Sequence, residues 1–359
     1  MRAFQSPNKY IQHKGALSHA GNHIKTMFPN VKKSGIILPK NLTNKYEVAL
    51  TSSLNKTVIF EFDDECTRDN MTKIKNKFQD EQVDHVIAFG GGKVLDIGKL
   101  VAHELSTPSV IIPSLASTDA PCTALSVIYK ENGEFEEYKF FSKSPDIIIV
   151  DTQVIADAPW RYLVAGMGDA LSTYYEAAAC MKNPQAKNII YPFIYRPTYI
   201  SQGIAKQCLH ILFEHGMKAK YSCMNNEVTE PLEKVIEANI LMSGLGAESG
   251  GLAMAHGLHN ALTSFKETHS FLHGEKVAYG VIVQLIAEGN FPEAIKVAVF
   301  NKKIGLPYKL KDLGVCCTQE NIRILAEKCL EPGNTSWNLG NHLTVPEVVR
   351  AINETDHLI

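Results

Sequence analysis

The first 150 residues alternate short, wholly apolar runs with amphipathic stretches. Gly35–Pro39 (GIILP), Thr57–Phe62 (TVIFEF), His85–Phe89 (HVIAF), Val110–Pro113 (VIIP) and Asp146–Val150 (DIIIV) read as buried strands. Such runs suit a sheet covered on both faces. Thr67–Phe78 and Lys93–His103 between them read as helices. Strands alternating with helices predict parallel βαβ units and a nucleotide-binding style of sheet. One interruption, Ser126–Tyr129 and Phe135–Phe141 around Glu131-Asn132-Gly133-Glu134, reads as a hairpin with an Asn-Gly turn.

After Asp151 the texture changes. Ala158–Met181, Ile200–Phe213, Leu232–Leu245, Leu252–Thr263, Gly274–Ala287 and Pro292–Ile304 read as helices. In the fifth, Val277, Val281, Gln284 and Leu285 keep helical spacing. Tyr191–Tyr199 (YPFIYRPTY) is an aromatic, proline-containing loop or oligomer contact. The expected architecture is a Rossmann-like α/β domain with a parallel sheet over 1–155, then an all-α domain over 156–359.

Composition narrows the function classes. A chain of 359 residues suits two domains. Its formal net charge of −2, without a Lys/Arg run, argues against nucleic-acid binding. No apolar run is long enough to span a bilayer, so no membrane partner is expected. The opening MRAFQSPNKYIQHKG lacks the apolar core of a secretory signal. Eight scattered cysteines form no CxxC pair and read as reduced thiols, which together predict a cytoplasmic protein.

Three places carry candidate chemistry. Gly90-Gly91-Gly92-Lys93 sits where a strand meets a helix, where backbone N–H groups can approach a phosphate. It is neither GxxxxGK[ST] nor GxGxxG. His256 to His273 (HGLHNALTSFKETHSFLH) holds four of the thirteen histidines: His256, His259, His269 and His273. Neutral imidazole is the commonest ligand for a transition metal. His256 and His259 lie one turn apart, and His273 precedes the helix at Gly274, whose N-terminus disfavours imidazolium. A third ligand should be a carboxylate among small and apolar neighbours, and Gly166-Met167-Gly168-Asp169-Ala170-Leu171 offers Asp169.

Several longer stretches then carry a family resemblance. They are Gln5–Gln12, the turn at 90–93, Ser117-Thr118-Asp119-Ala120-Pro121, Ala124–Tyr129, Gly166–Leu171, Glu248–Ala253 and His273–Ala278. Together they resemble the zinc-dependent glycerol dehydrogenases, within the wider iron-containing alcohol dehydrogenase and dehydroquinate synthase-like fold. The resemblance runs over nearly the whole chain.

The resemblance implies Asp169, His256 and His273 as ligands of Zn2+, with His259 beside the metal. It implies NAD as cofactor, with Gly90, Gly91, Gly92 and Lys93 at the pyrophosphate. Ser114, Thr118, Thr123, Leu125 and Tyr129 would lie around the ribose and nicotinamide, and Asp119 would hold the substrate hydroxyl. It further implies a small polyol substrate and a homo-oligomer, commonly an octamer. Zinc lowers the pKa of bound water to about 7, which sets an upper limit of roughly 12 kcal/mol toward acidifying an alcohol.

Three departures from the family pattern matter. Thr173 stands where the iron-dependent branch has a further histidine, which favours zinc. Pro39 replaces the aspartate that accepts from the adenosine ribose, which leaves NADP open beside NAD. Ala247 replaces a phenylalanine near the substrate, which leaves the diol open. The rivals are a sugar-phosphate cyclase or glycerol-1-phosphate dehydrogenase of the same fold, and a non-catalytic nucleotide- or metal-binding relative.

Overall fold

The computed structural model describes residues 1–132, 134–340 and 343–359. In chain order the first half runs β1 (Lys9–His13), α1 (Ala20–Met27), β2 (Lys33–Leu38), α2 (Lys40–Thr51), β3 (Lys56–Glu61) and α3 (Arg68–Asp80). It continues with β4 (His85–Gly90), α4 (Gly92–Leu105), β5 (Ser109–Pro113), β6 (Leu125–Tyr129), β7 (Phe135–Phe140) and β8 (Ile147–Asp151). Six strands form one parallel sheet in the order β1-β8-β5-β4-β2-β3.

The apolar runs follow from burial on both faces. Ile36, Leu38, Ile87, Phe89, Val110 and Ile112 pack with Ile24 of α1 and Leu50 of α2. Ile37, Val86, Ala88 and Ile111 face the other way, toward Ile74 and Phe78 of α3 and Leu95 of α4. β6 and β7 pair antiparallel, as the hairpin pattern predicts, while Gly133 of the expected Asn-Gly turn lies outside the described residues. β1 escapes the apolar pattern because it is a half-buried edge strand reading KYIQH.

Strand order locates a crevice. β2 connects to β3 on one side, β4 connects to β5 on the other, and α2 and α4 lie on opposite faces. Ligands of open α/β sheets bind outside the carboxyl ends of the strands at such a switch point. Here the crevice opens between Pro39, which follows β2, and the glycines that follow β4.

Beyond Asp151 the described residues form α5 (Thr152–Ala156), α6 (Trp160–Lys182), α7 (Tyr199–Met224), α8 (Glu230–Glu237) and α9 (Ser243–Gly250). Then come α10 (Met254–Leu262), α11 (His273–Ala287), α12 (Phe291–Ile304), α13 (Gln319–Cys329) and α14 (Val345–Asp356). The helix expected over Leu232–Leu245 is longer and carries a π-helical turn, Ala238–Met242, between α8 and α9. One buried cluster spans the helices and takes in Ile148 and Val150 of β8 with Ala116 and Cys122 beyond β5. The two halves therefore share a continuous core. No helix among the described residues is long and apolar enough to cross a membrane.

Candidate active site

Three helices bring the carboxylate and the imidazoles together. Asp169 lies mid-way along α6, His256 opens α10 and His273 is the first residue of α11. One donor atom from each falls within 4.8 Å of the others. The approach of α11 to α6 depends on glycine: a Cβ on Gly274 would stand 1.9 Å from the Ala165 carbonyl oxygen. His269 does not join them; its Nε2 stays 3.0 Å from the Thr263 carbonyl on its own loop.

The donor set fits a cation. Glu176, fully buried two turns beyond Asp169, accepts the Ala253 and His256 amides on Oε1 at 2.7 and 3.0 Å. Its Oε2 lies 2.6 Å from His256 Nδ1. An ionised carboxylate only accepts, so the hydrogen-bond network assigns the His256 proton to Nδ1. Nε2 then turns a bare lone pair toward Asp169 Oδ1, 3.6 Å away. Asp169 is itself buried, and acceptors facing each other there are satisfied by a proton or a metal cation between them. Glu176 escaped the sequence reading, although an acid inside the apolar run of α6 was its signal.

The charges follow from that crowding. Burial alone would raise the Asp169 carboxyl, but the facing rings of His273 and His256 hold it well below the usual carboxylate range. Burial opposes charge on His256, and Glu176 with Asp169 outweighs it, so this ring is pushed well up where no metal is present. Burial, then His273, Lys276 and His256, push His259 well down, which keeps it neutral. Its Nε2 stands 3.0 Å from His273 Nδ1.

Asp119 reaches the same place from the sheet half. Its amide donates to Asp169 Oδ2 at 3.3 Å, and its Oδ2 accepts from the Ser243 hydroxyl at 3.2 Å. Ser243 in turn lies 2.9 Å from the Thr173 hydroxyl. Thr173, where an iron-branch relative would place a ligand, thus supports Asp119 through Ser243. Burial first, and Asp169 second, push the Asp119 carboxyl up to about 6. The π-helical turn aims Asn239, whose amide donates to the Ala116 and Leu163 carbonyls at 3.0 Å each. Such turns recur at functional sites.

The predicted cofactor residues gather along the carboxyl edge of β4 and β5. Gly90 pairs with Pro113 across the two strands, and the Ser114 amide donates to the Gly90 carbonyl at 2.9 Å. Gly92 opens α4 with nothing within 4 Å of a notional Cβ, so the helix N-terminus is bare to a ligand. Thr118 Oγ1 accepts from the Ala120 amide, and Thr123 Oγ1 donates to the Ala120 carbonyl. Leu125 and Tyr129 bound β6, and burial pushes the Tyr129 phenol up to about 12. Lys93 pairs with Glu65, a partner that sequence spacing did not suggest. Lys99 pins this segment to α4: buried, it ion-pairs with Asp96 at 2.9 Å and donates to the carbonyls of Ala120, Thr123 and Leu125.

Comparisons with known proteins place the chain in a family. Residues 7–152 match the profile of the family described as iron-containing alcohol dehydrogenase. A glycerol dehydrogenase of Thermotoga maritima is 39% identical, covering 98% of this chain and 95% of its own. A glycolaldehyde reductase of Halobacterium salinarum is 37% identical, over 92% of this chain and 91% of its own. The crystal structure of the Schizosaccharomyces pombe glycerol dehydrogenase superposes with a TM-score of 0.92 at 33% identity, covering 100% of this chain and 91% of that one. The chain belongs to the iron-containing alcohol dehydrogenase family, alongside its glycerol dehydrogenases.

Proposed function

We propose that the chain is a polyol oxidoreductase that takes hydride from the carbon bearing the secondary hydroxyl of glycerol, or of a similar vicinal diol, and passes it to NAD, while the hydroxyl proton leaves to water or by way of His259. The product is dihydroxyacetone or the matching hydroxyketone. The observation that carries this reading is the convergence of Asp169, His256 and His273 beside Asp119, in a chain whose full-length relatives include several glycerol dehydrogenases.

Asp169, His256 and His273 would hold the metal, and zinc suits the three-residue set. Bound zinc supplies Lewis acidity, which makes a hydroxyl a better proton donor. NAD, the hydride acceptor, would lie along Gly90–Lys93, Ser114, Thr118, Thr123, Leu125 and Tyr129. Residues 1–155 would then carry the dinucleotide and 156–359 the metal, with reaction at the seam between them. Asp119 has one oxygen engaged by Ser243, which leaves the other to accept from a substrate hydroxyl and orient it. His259, held neutral, keeps a ring beside His273 without adding charge to the site.

The carboxylate missing at Pro39 has a substitute one strand over. Asp63, just past β3, accepts the Lys40 amide at 3.1 Å, and it favours NAD over the 2′-phosphorylated form. Exposed Tyr191, Ile194, Tyr199 and Ile200 suit a homo-oligomer, an octamer by family resemblance. A panel of diols and hydroxyketones, with glycerol phosphate included, tests the reading with NAD and NADP before and after chelation. Glycerol oxidation with NAD, abolished by chelation and restored by zinc, is the expected result. Turnover that survives complete metal removal, or preference for the phosphate ester, overturns it.

A further inference from the structure

Among the described residues an imidazole, and not a carboxylate, stands behind His273, yet its ring must also present a bare Nε2 if it is to bind metal. Nε2 faces Asp169 Oδ1 at 3.1 Å, and Nδ1 faces His259 Nε2 at 3.0 Å. With a cation between Nε2 and the ionised Asp169 carboxylate, the His273 proton must sit on Nδ1, and whether Nδ1 finds an acceptor is set by His259 and by whatever holds His259. Its Nδ1 lies 3.1 Å from Asn260 Oδ1.

An amide can be turned either way, so Asn260 needs its own anchor. Its Nδ2 donates to Asn334 Oδ1 at 3.3 Å. Asn334 is the fixed end. Its Nδ2 sits 3.2 Å from two carbonyls, those of Gly257 and Lys328, and its Oδ1 accepts the Thr335 amide at 2.8 Å. Carbonyls only accept and amide N–H groups only donate, so one orientation of Asn334 satisfies all three. That orientation passes along the chain. Asn334 Oδ1 must accept, so Asn260 turns Nδ2 toward it and Oδ1 toward His259. His259 must then hold its proton on Nδ1 and accept at Nε2, and His273 must hold its proton on Nδ1.

We propose that Asn260 and Asn334 are positioning residues that lock the tautomer of His273, through His259, so that Nε2 stays bare for a metal ion. The proposal rests on the reading of Asp169, His256 and His273 as ligands. Asn334 lies in the turn after α13, far from the histidines in sequence, and joins the site only in the folded chain. The signal that directs the tautomer thus enters from backbone carbonyls of α10 and α13.

The test is zinc affinity, measured on the full chain after stripping with chelator and re-titration against a competing indicator. Asn260→Leu removes the acceptor facing His259 and should weaken zinc binding by about 10–100-fold, the usual cost of losing a group behind a metal-bound histidine. Asn260→Asp keeps that acceptor while losing the donor to Asn334, and should stay within a few-fold of the unmodified chain. A merely structural role predicts the opposite order, because the aspartate faces Asn334 Oδ1 acceptor to acceptor. In zinc-saturated protein with 15N-labelled histidine, the unmodified chain should show His259 and His273 each protonated on Nδ1, and Asn260→Leu should lose that single signature at His259. Unchanged affinity in Asn260→Leu, or equal losses in both variants, overturns the proposal. Should Asn260→Leu fail to fold, Asn334→Leu breaks the same chain one link further out and carries the same expectations. If the unmodified chain binds no zinc, the ligand reading itself fails, which separates the two outcomes.

Discussion

Replacing Glu176 with glutamine changes one oxygen to nitrogen and should disable the metal set without unfolding the chain. The carboxylate serves three donors: the Ala253 and His256 amides on one oxygen and His256 Nδ1 on the other. A glutamine can turn either way. With its oxygen toward His256 Nδ1, its NH2 opposes two buried backbone N–H groups, and leaving both unpaired costs about 1–3 kcal/mol each. With its oxygen toward those amides, every backbone bond survives, and NH2 faces Nδ1. The second arrangement wins by roughly 2–6 kcal/mol, because moving one proton around a neutral imidazole forfeits no buried hydrogen bond. His256 then carries its proton on Nε2, aimed at Asp169 Oδ1 where the cation would sit. Loss of the supporting partner alone costs about 10–100-fold in affinity, or roughly 1.4–2.8 kcal/mol. A blocked ligand nitrogen takes the loss to at least the upper figure. Zinc affinity by competition titration, turnover of glycerol with NAD, and a thermal melt should show affinity and turnover falling together while the zinc-free melting temperature holds. Zinc binding within threefold of the unmodified chain, with normal turnover, refutes the argument.

Gly274→Ala places a methyl group 1.9 Å from the Ala165 carbonyl oxygen. The backbone must yield, at a cost of about 1–3 kcal/mol or more, and α11 moves off α6. Lower melting temperature together with weaker zinc binding is the expected result, and a shift in neither contradicts the close-contact account. Glu248 is buried, which pushes its carboxyl from 4.5 up to about 7. The folded chain holds a proton that the unfolded chain releases, so this stabilisation is complete below pH 4.5 and is lost as pH rises through about 7. At about 1.36 kcal/mol per unit the loss is about 3 kcal/mol at most. Glu248→Gln can still accept from the Ala124 amide and donate to Ser144, so its melting temperature should overtake the unmodified chain's above pH 7 and match it near pH 4.5. A difference that does not vary with pH rules this out. Asp63→Ser should lower the ratio of kcat/KM for NAD over NADP, and an unchanged ratio removes Asp63 from cofactor choice.

How much of this was legible in the chain depended on what each residue touches. The buried strands were readable because both faces of the sheet are covered, so Ile36 and Ile37 are both apolar although they point opposite ways. Edge strand β1 and helix α2, whose only fully buried residue is Leu50, carry too little periodic signal. α13 and α14 also went unread. At the site, Asp169, His256 and His273 were legible through metal chemistry and family pattern. Their supports were less so. Glu176 is a charged residue in an apolar helix and could have been flagged. Asn260 and Asn334 are ordinary polar residues whose contact spans 74 positions, and no local pattern announces it. Lys93 was readable as part of a phosphate-style turn, but its pairing with Glu65 depends on how the end of β3 and the start of α3 fold over α4.

The supports bear on the proposal that reaction takes place at the seam. Asp169 divides its two oxygens between the halves of the molecule: Oδ2 takes the Asp119 amide from the segment after β5, and Oδ1 faces the rings of His256 and His273. A few residues earlier on α6, Gly166 lets the Ala116 carbonyl approach to where a Cβ would stand 1.9 Å from it, and Asn239 of the π-helical turn then closes on that carbonyl. The segment carrying Asp119 is thus registered on the same helix that carries the carboxylate. Separating the halves by even an ångström would break the hydrogen bond from the Asp119 amide and free Asp169 Oδ2. The group that would orient the substrate hydroxyl and the groups that would acidify it therefore cannot drift independently. On the proposed function, a metal and a carbinol would be held in one fixed relation by the geometry of a single buried aspartate.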